Sequence, residues 1–122
     1  MAKILIVDDE PANRLLVVTL LQYAGHEVLE AADGATALQT AKEHRPDLIM
    51  VDLFLPGMHG TQLVKKIRTD DEIKSTRVAL YTGTRVDAML ADFMSVHSVV
   101  HVIPKPAEPE ELLQAVDNAL NA

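Results

Sequence analysis

Five short apolar runs, each followed by a stretch with helical spacing, constrain this chain of 122 residues more than any other feature. The runs are KILIV (3–7), EVLEA (27–31), LIMV (48–51), RVALY (77–81) and VVHVI (99–103). The intervening segments 12–24, 35–44, 60–69, 85–96 and 108–120 read as helices. Strands that alternate with helices through short connections predict an α/β protein with a parallel sheet covered on both faces. Right-handed crossovers restrict the topology to a few doubly wound sheets. Runs that are almost wholly apolar, such as LIMV, suit strands buried on both faces.

Local signals place the boundaries. Pro11 suits a first helical turn, and Gly25 is a natural residue just past a helix end. In the first helix Leu15, Leu16, Thr19, Leu20 and Tyr23 are expected near one face. Asp33-Gly34 is a turn leading into the second helix, and Arg45-Pro46-Asp47 breaks it. Pro56-Gly57 marks a turn after the third strand. Leu63, Val64 and Ile67 face inward on the third helix, and Leu112, Leu113, Val116 and Leu120 on the fifth. Glu108, Glu110 and Glu111 complement the positive N-terminal end of the fifth helix.

The length suits a single domain, 1–122, with a real core. A formal charge of −7 argues against direct nucleic-acid binding. With no cysteine there are no disulfides and no thiol chemistry. No apolar run approaches the ~18 residues of a membrane span. The chain enters a strand pattern at once and lacks the shape of a signal peptide, so no membrane contact and a cytoplasmic location are expected.

Four strand ends carry polar groups in an apolar context. They are Asp8-Asp9 after the first strand, Asp52 after the third, Thr82 after the fourth and Lys105 after the fifth. In open α/β sheets ligands bind at the carboxyl edge, where these residues converge. Each piece alone has a plainer reading. Asp8-Asp9-Glu10 could be a solvated capping cluster, and Asp52 an Asx turn. Thr82 could be an ordinary strand-end hydroxyl, and Lys105 a surface lysine between prolines. Four coincidences at matching strand ends are much rarer than any one of them.

With Asp52 followed by Pro56-Gly57-Met58-x-Gly60, with Thr82-Gly83 and with Lys105-Pro106, the chain resembles the receiver domain of two-component response regulators over essentially its whole length. The resemblance implies a flavodoxin-like (βα)5 fold with strand order 2-1-3-4-5. It implies that Asp52 is the phosphoacceptor, that Asp9 binds Mg2+ (or Mn2+) directly, and that Asp8 acts through water. The backbone carbonyl of Phe54 and Asp52 itself complete the metal set. Lys105 and Thr82 would hold the phosphoryl group, and Gly83 leaves room for it. Catalysis of such a transfer is mostly positioning and charge neutralisation. The implied partners are a histidine kinase or phosphotransfer protein, an unidentified output partner and, on phosphorylation, a second copy of the chain. The domain would catalyse its own phosphorylation and dephosphorylation. It would work alone or as the N-terminal part of a longer chain.

Some residues depart from the family pattern. Val102 stands where an aromatic usually precedes the lysine by three, so the usual coupling of threonine and ring is not expected. Ser98 stands where glycine is frequent, and Pro104 before Lys105 is unusual. Lys105-Pro106 is a candidate cis bond. Phe54 should lie near the path of attacking water and alter the lifetime of the phosphorylated state. His97 and His101, four apart, read as surface or packing residues across a helix-strand boundary. His59 reads as an exposed loop residue, and Met58, Met89 and Met94 as packing.

Three rivals remain at this stage. A phosphorylation-independent interaction module would keep the fold without the chemistry. A phosphohydrolase would want an acid two residues after the nucleophile, where Phe54 stands. A flavin binder would want a phosphate loop after the first strand and more than 3% aromatics.

Overall fold

The computed structural model describes residues 1–99 and 101–122. Its elements in chain order are β1 (Lys3–Val7), α1 (Pro11–Tyr23), β2 (Glu27–Ala31), α2 (Gly34–His44), β3 (Leu48–Val51), β4 (Phe54–Leu55), β5 (Met58–His59), α3 (Gly60–Thr69), β6 (Arg77–Thr82), α4 (Ala88–Val96), β7 (His101–Pro104) and α5 (Pro109–Leu120). Five strands form one parallel sheet in the order β2-β1-β3-β6-β7. Counting sheet strands alone, this is the expected 2-1-3-4-5. The extra pair, β4 and β5, is a two-stranded antiparallel hairpin closed by Pro56-Gly57, with Gly57 at φ 73°.

Alternation along each strand feeds two cores. Leu5, Val7, Ile49, Val51, Val78 and Leu80 point to one face, against Ala37, Ala41, Leu63, Val64 and Ile67 of α2 and α3. Ile4, Ile6, Leu48, Met50, Ala79, Tyr81 and Ile103 point to the other, against α1 and α5. A sheet buried on both faces needs apolar side chains at every strand position, which is why LIMV is buried throughout.

Several boundaries and faces differ from the sequence reading. The buried face of α1 is Val17, Val18 and Leu21, while Leu15, Leu16 and Tyr23 are exposed. The helix is apolar nearly all round, so periodicity did not single out a face. On α5 the deepest residues are Leu112, Val116 and Ala119, with Leu113 and Leu120 only partly buried. The fourth helix begins at Ala88, three residues later than expected, because the Asp87 carboxylate accepts from Leu90 N–H and caps it there. Val100 lies outside the described residues, and β7 runs from His101. Ile73, in the polar segment 70–76, is fully buried and pins that loop to the core. Met89 is exposed, whereas Met58 and Met94 pack on the core as expected.

Candidate functional site

The register of the sheet brings the predicted residues together. Val7 pairs with Val51 and Val51 with Leu80, so the residues after these strands share one edge. Asp52 N–H donates to the Val7 carbonyl (3.0 Å) and Asp8 N–H to the Ala31 carbonyl (3.1 Å), extending the ladder into the acids themselves. The bottom of the site is therefore sheet backbone, a rigid base.

Asp8 and Asp52 are buried, at 0% and 6% exposure, and Asp9 is exposed. One carboxylate oxygen from each of Asp8, Asp9 and Asp52 lies within 4.8 Å of the others. Lys105 Nζ donates to Asp52 Oδ2 at 2.7 Å and lies 3.3 Å from Asp8 Oδ2. Burial by itself would lower the Lys105 ammonium's pKa, but the two carboxylates outweigh it and hold it above the ordinary lysine value. Two buried anions facing one cation leave the cluster net negative, which suits a hard cation with oxygen ligands.

The remaining polar atoms are used locally. Asp8 Oδ1 accepts from Glu10 N–H (2.9 Å), and Asp8 Oδ2 also accepts from the Asn13 amide. Phe54 N–H donates to Asp52 Oδ1 (3.2 Å), which brings the main chain at Phe54 to the cluster. Thr82 is buried; its hydroxyl accepts from Thr84 N–H (3.0 Å), and its carbonyl from Lys105 N–H (3.0 Å). A Cβ on Gly83 would come 3.2 Å from the Lys105 carbonyl. The Lys105-Pro106 bond is cis, as expected. Ser98 is left-handed (φ 54°), the conformation that makes glycine frequent at such a place.

The hairpin of β4 and β5 follows Asp52 and leads directly into α3. His59 is the N-cap of α3. Its Nδ1 accepts from Thr61 N–H (3.2 Å) while Gln62 Oε1 accepts from His59 N–H (2.9 Å). The expected exposed loop histidine is thus also a cap. Phe54, 61% exposed, meets the His59 ring edge-on at 5.5 Å. A side chain on Gly60 would strike the Asp52 carbonyl and the Leu53 Cα, the latter at 2.7 Å, so glycine is required behind the acid. The His97 ring packs at a tilt against Phe93, centroids 4.3 Å apart, and His97 caps the end of α4, so it is a packing histidine.

Three neighbours were not singled out from sequence. Asn13 holds Asp8, and Arg14 Nη1 donates to the Asp8 carbonyl (2.7 Å) while Arg14 Nε pairs with Glu30 (3.0 Å). Tyr81 lies beneath Lys105, whose Nζ is 5.2 Å from the ring centroid. Only the signal that α1 starts at Pro11 could have found the first two, since its first turn folds back over the acidic pair.

Comparison with known proteins gives the family and the fold. The family model "Response regulator receiver domain" matches residues 4–117. The chain is 32% identical over 118 residues to sporulation initiation phosphotransferase F of Bacillus subtilis, covering 97% of this chain and 93% of that protein. It is 32% identical over 120 residues to the chemotaxis protein CheY of the same organism, covering 98% of each. The crystal structure of Vibrio cholerae CheY4 superposes with a TM-score of 0.90 at 34% identity, over 98% of each chain. The chain belongs to the response regulator receiver domain family, with the CheY-like flavodoxin fold. Among the described residues, no helix is long and apolar enough to cross a membrane.

Proposed function

We propose that this domain is a phosphorylation-activated switch in which Asp52 accepts a phosphoryl group from a phosphohistidine on a kinase or phosphotransfer protein. The observation that carries the reading is the buried Asp52 carboxylate, bonded to Lys105 and grouped with two further acids at one sheet edge. In the transfer an Asp52 oxygen bonds to phosphorus, the nitrogen–phosphorus bond of the donor breaks, and the freed imidazole nitrogen takes up a proton. Asp9, Asp52 and the backbone carbonyl of Phe54 would hold Mg2+ (or Mn2+), with Asp8 acting through water. The donor set is all oxygen, as those ions prefer. Bound there, the ion supplies charge neutralisation on the equatorial phosphoryl oxygens. Lys105 exchanges Asp52 for a phosphoryl oxygen, and the Thr82 hydroxyl leaves Thr84 N–H to donate to another.

That exchange would draw the 83–87 loop inward and shift the face formed by α4, β7 and α5. A ligand moves such an equilibrium only by its differential affinity for the two states. A cytoplasmic location and dimerisation on phosphorylation belong to the same reading.

The test is intact-protein mass after acetyl phosphate and Mg2+, for the parent and Asp52→Ala. Gain of one phosphoryl group in the parent alone, abolished by EDTA, is expected. No adduct and no beryllofluoride binding would favour the phosphorylation-independent module. Hydrogen exchange across residues 84–106 should change on phosphorylation; unchanged exchange would remove the proposed output face. Phe54→Asn should dephosphorylate at a different rate from the parent, and equal rates would remove the role given to Phe54.

A further inference from the structure

The ammonium of Lys105 has three donors, and two of its directions are taken by Asp52 and Asp8 at 2.7 and 3.3 Å. Beneath it lies the Tyr81 ring, 4% exposed, with its centroid 5.2 Å from Nζ. The chain has only two tyrosines and two phenylalanines, and this aromatic is placed at the end of a central strand. Its neighbours in the same core include Ile6, Met50 and Ile103, none of them aromatic. Burial raises the phenol's pKa, while the Asn13 side chain and then Lys105 oppose that rise.

A ring and a carboxylate hold an ammonium differently. A third acid would strengthen the grip but would repel the incoming phosphoryl group and deepen the net negative charge. The face of an aromatic ring attracts the cation within about 6 Å and carries no net charge. Lysine is a compact charge on a flexible stem of four carbons, so it gains from such a shelf when it must let go of Asp52 without leaving the site.

We propose that Tyr81 is a positioning residue for phosphoryl transfer: its ring is the shelf that keeps the Lys105 ammonium between Asp8 and Asp52 as the phosphoryl group arrives. This rests on Asp52 being the acceptor. The ring, not the hydroxyl, does the positioning.

The experiment compares parent, Tyr81→Phe and Tyr81→Leu in two measurements. The first is the NMR shift of the Lys105 ε-methylene protons, which a ring face beneath them moves upfield. Parent and Tyr81→Phe should share that shift, and Tyr81→Leu should lose it. The second is the rate of transfer from acetyl phosphate at saturating Mg2+ against donor concentration. Tyr81→Leu should lower the maximal rate about three- to tenfold, as expected of a cation–π contact of this kind, with half-saturation by donor little changed. Tyr81→Phe should restore the rate to within about twofold of the parent, since the ring remains. An upfield shift that survives in Tyr81→Leu, or a rate loss in Tyr81→Phe equal to that in Tyr81→Leu, would overturn the proposal. If the parent takes no phosphoryl group, the acceptor reading fails, while the proton shifts still report whether the ring holds the lysine.

Discussion

Helices α3 and α4 flank the same core but are held in different ways. α3 buries Leu63, Val64 and Ile67 almost completely and is fastened at its start by the His59 and Gln62 cap. Beyond its last turn Asp70 pairs with Lys42 of α2 at 2.9 Å. α4 has no buried residue at all. Leu90, Phe93 and Met94 lean on the core, and Met89 and Val96 are exposed. Its firm attachment is at the C-terminal end. Arg68 of α3 donates through Nε to the His97 carbonyl (2.7 Å) and through Nη2 to the Ser98 carbonyl (3.1 Å). Arg68 also grips the Lys74 carbonyl at 3.0 Å and that of Thr76, and burial lowers its pKa. So α3 is part of the rigid base behind Asp52, whereas α4 is tethered at one end and lightly packed along its length. Elements that move in switching come from the least anchored part of a fold.

The largest expected effect that tests this contrast is Leu63→Ala, which should lower global stability by about 2–5 kcal/mol. Urea unfolding checks it, and a loss well under 1 kcal/mol would show α3 to be less anchored than its burial implies. Arg68→Ala should cost about 1–3 kcal/mol, because it orphans several carbonyls. Hydrogen exchange should then show α4 amides losing protection well before those of the N-terminal turns of α3. Equal loosening of both would break the tether. Asp87→Ala removes the cap of α4 and should cost about 1 kcal/mol locally, read as faster exchange in the first turn of α4 with little change in the unfolding midpoint. The smallest effect concerns Lys42 and Asp70. Their pairing, with a backbone bond from Glu72, holds Asp70 below 3.8 and raises Lys42 above 10.5. A depressed carboxylate contributes stability above its unfolded pKa and loses it as pH falls through the folded value. A raised lysine contributes below its unfolded value and loses it as pH rises. The parent should therefore exceed Lys42→Ala in stability at neutral pH, and the gap should close below about pH 3.8. A gap independent of pH would assign the effect to packing of the lysine stem.

Much of this was legible in the residues. The strand ends at Asp8, Asp52 and Thr82 could be placed because β1, β3 and β6 are short apolar runs with sharp polar stops. α3 could be read to the residue, because its apolar positions recur on a single stripe. α1 could not, because PANRLLVVTLLQY is apolar on several sides and only docking on the sheet selects Val17, Val18 and Leu21. The hairpin of β4 and β5 was hidden for a different reason. Two residues a side carry no periodicity, and only the Pro-Gly turn announced them.

The sequence by itself determined the alternation, the parallel sheet and the set of residues that meet at its edge, since these follow from local pattern and chain connectivity. The tertiary structure alone decided which side of α1 is covered, that Arg68 reaches the carbonyls at the end of α4, and that Tyr81 lies under Lys105. Those contacts join residues far apart in the chain, and their existence depends on the angle and depth at which helices settle on the sheet. No local pattern encodes that.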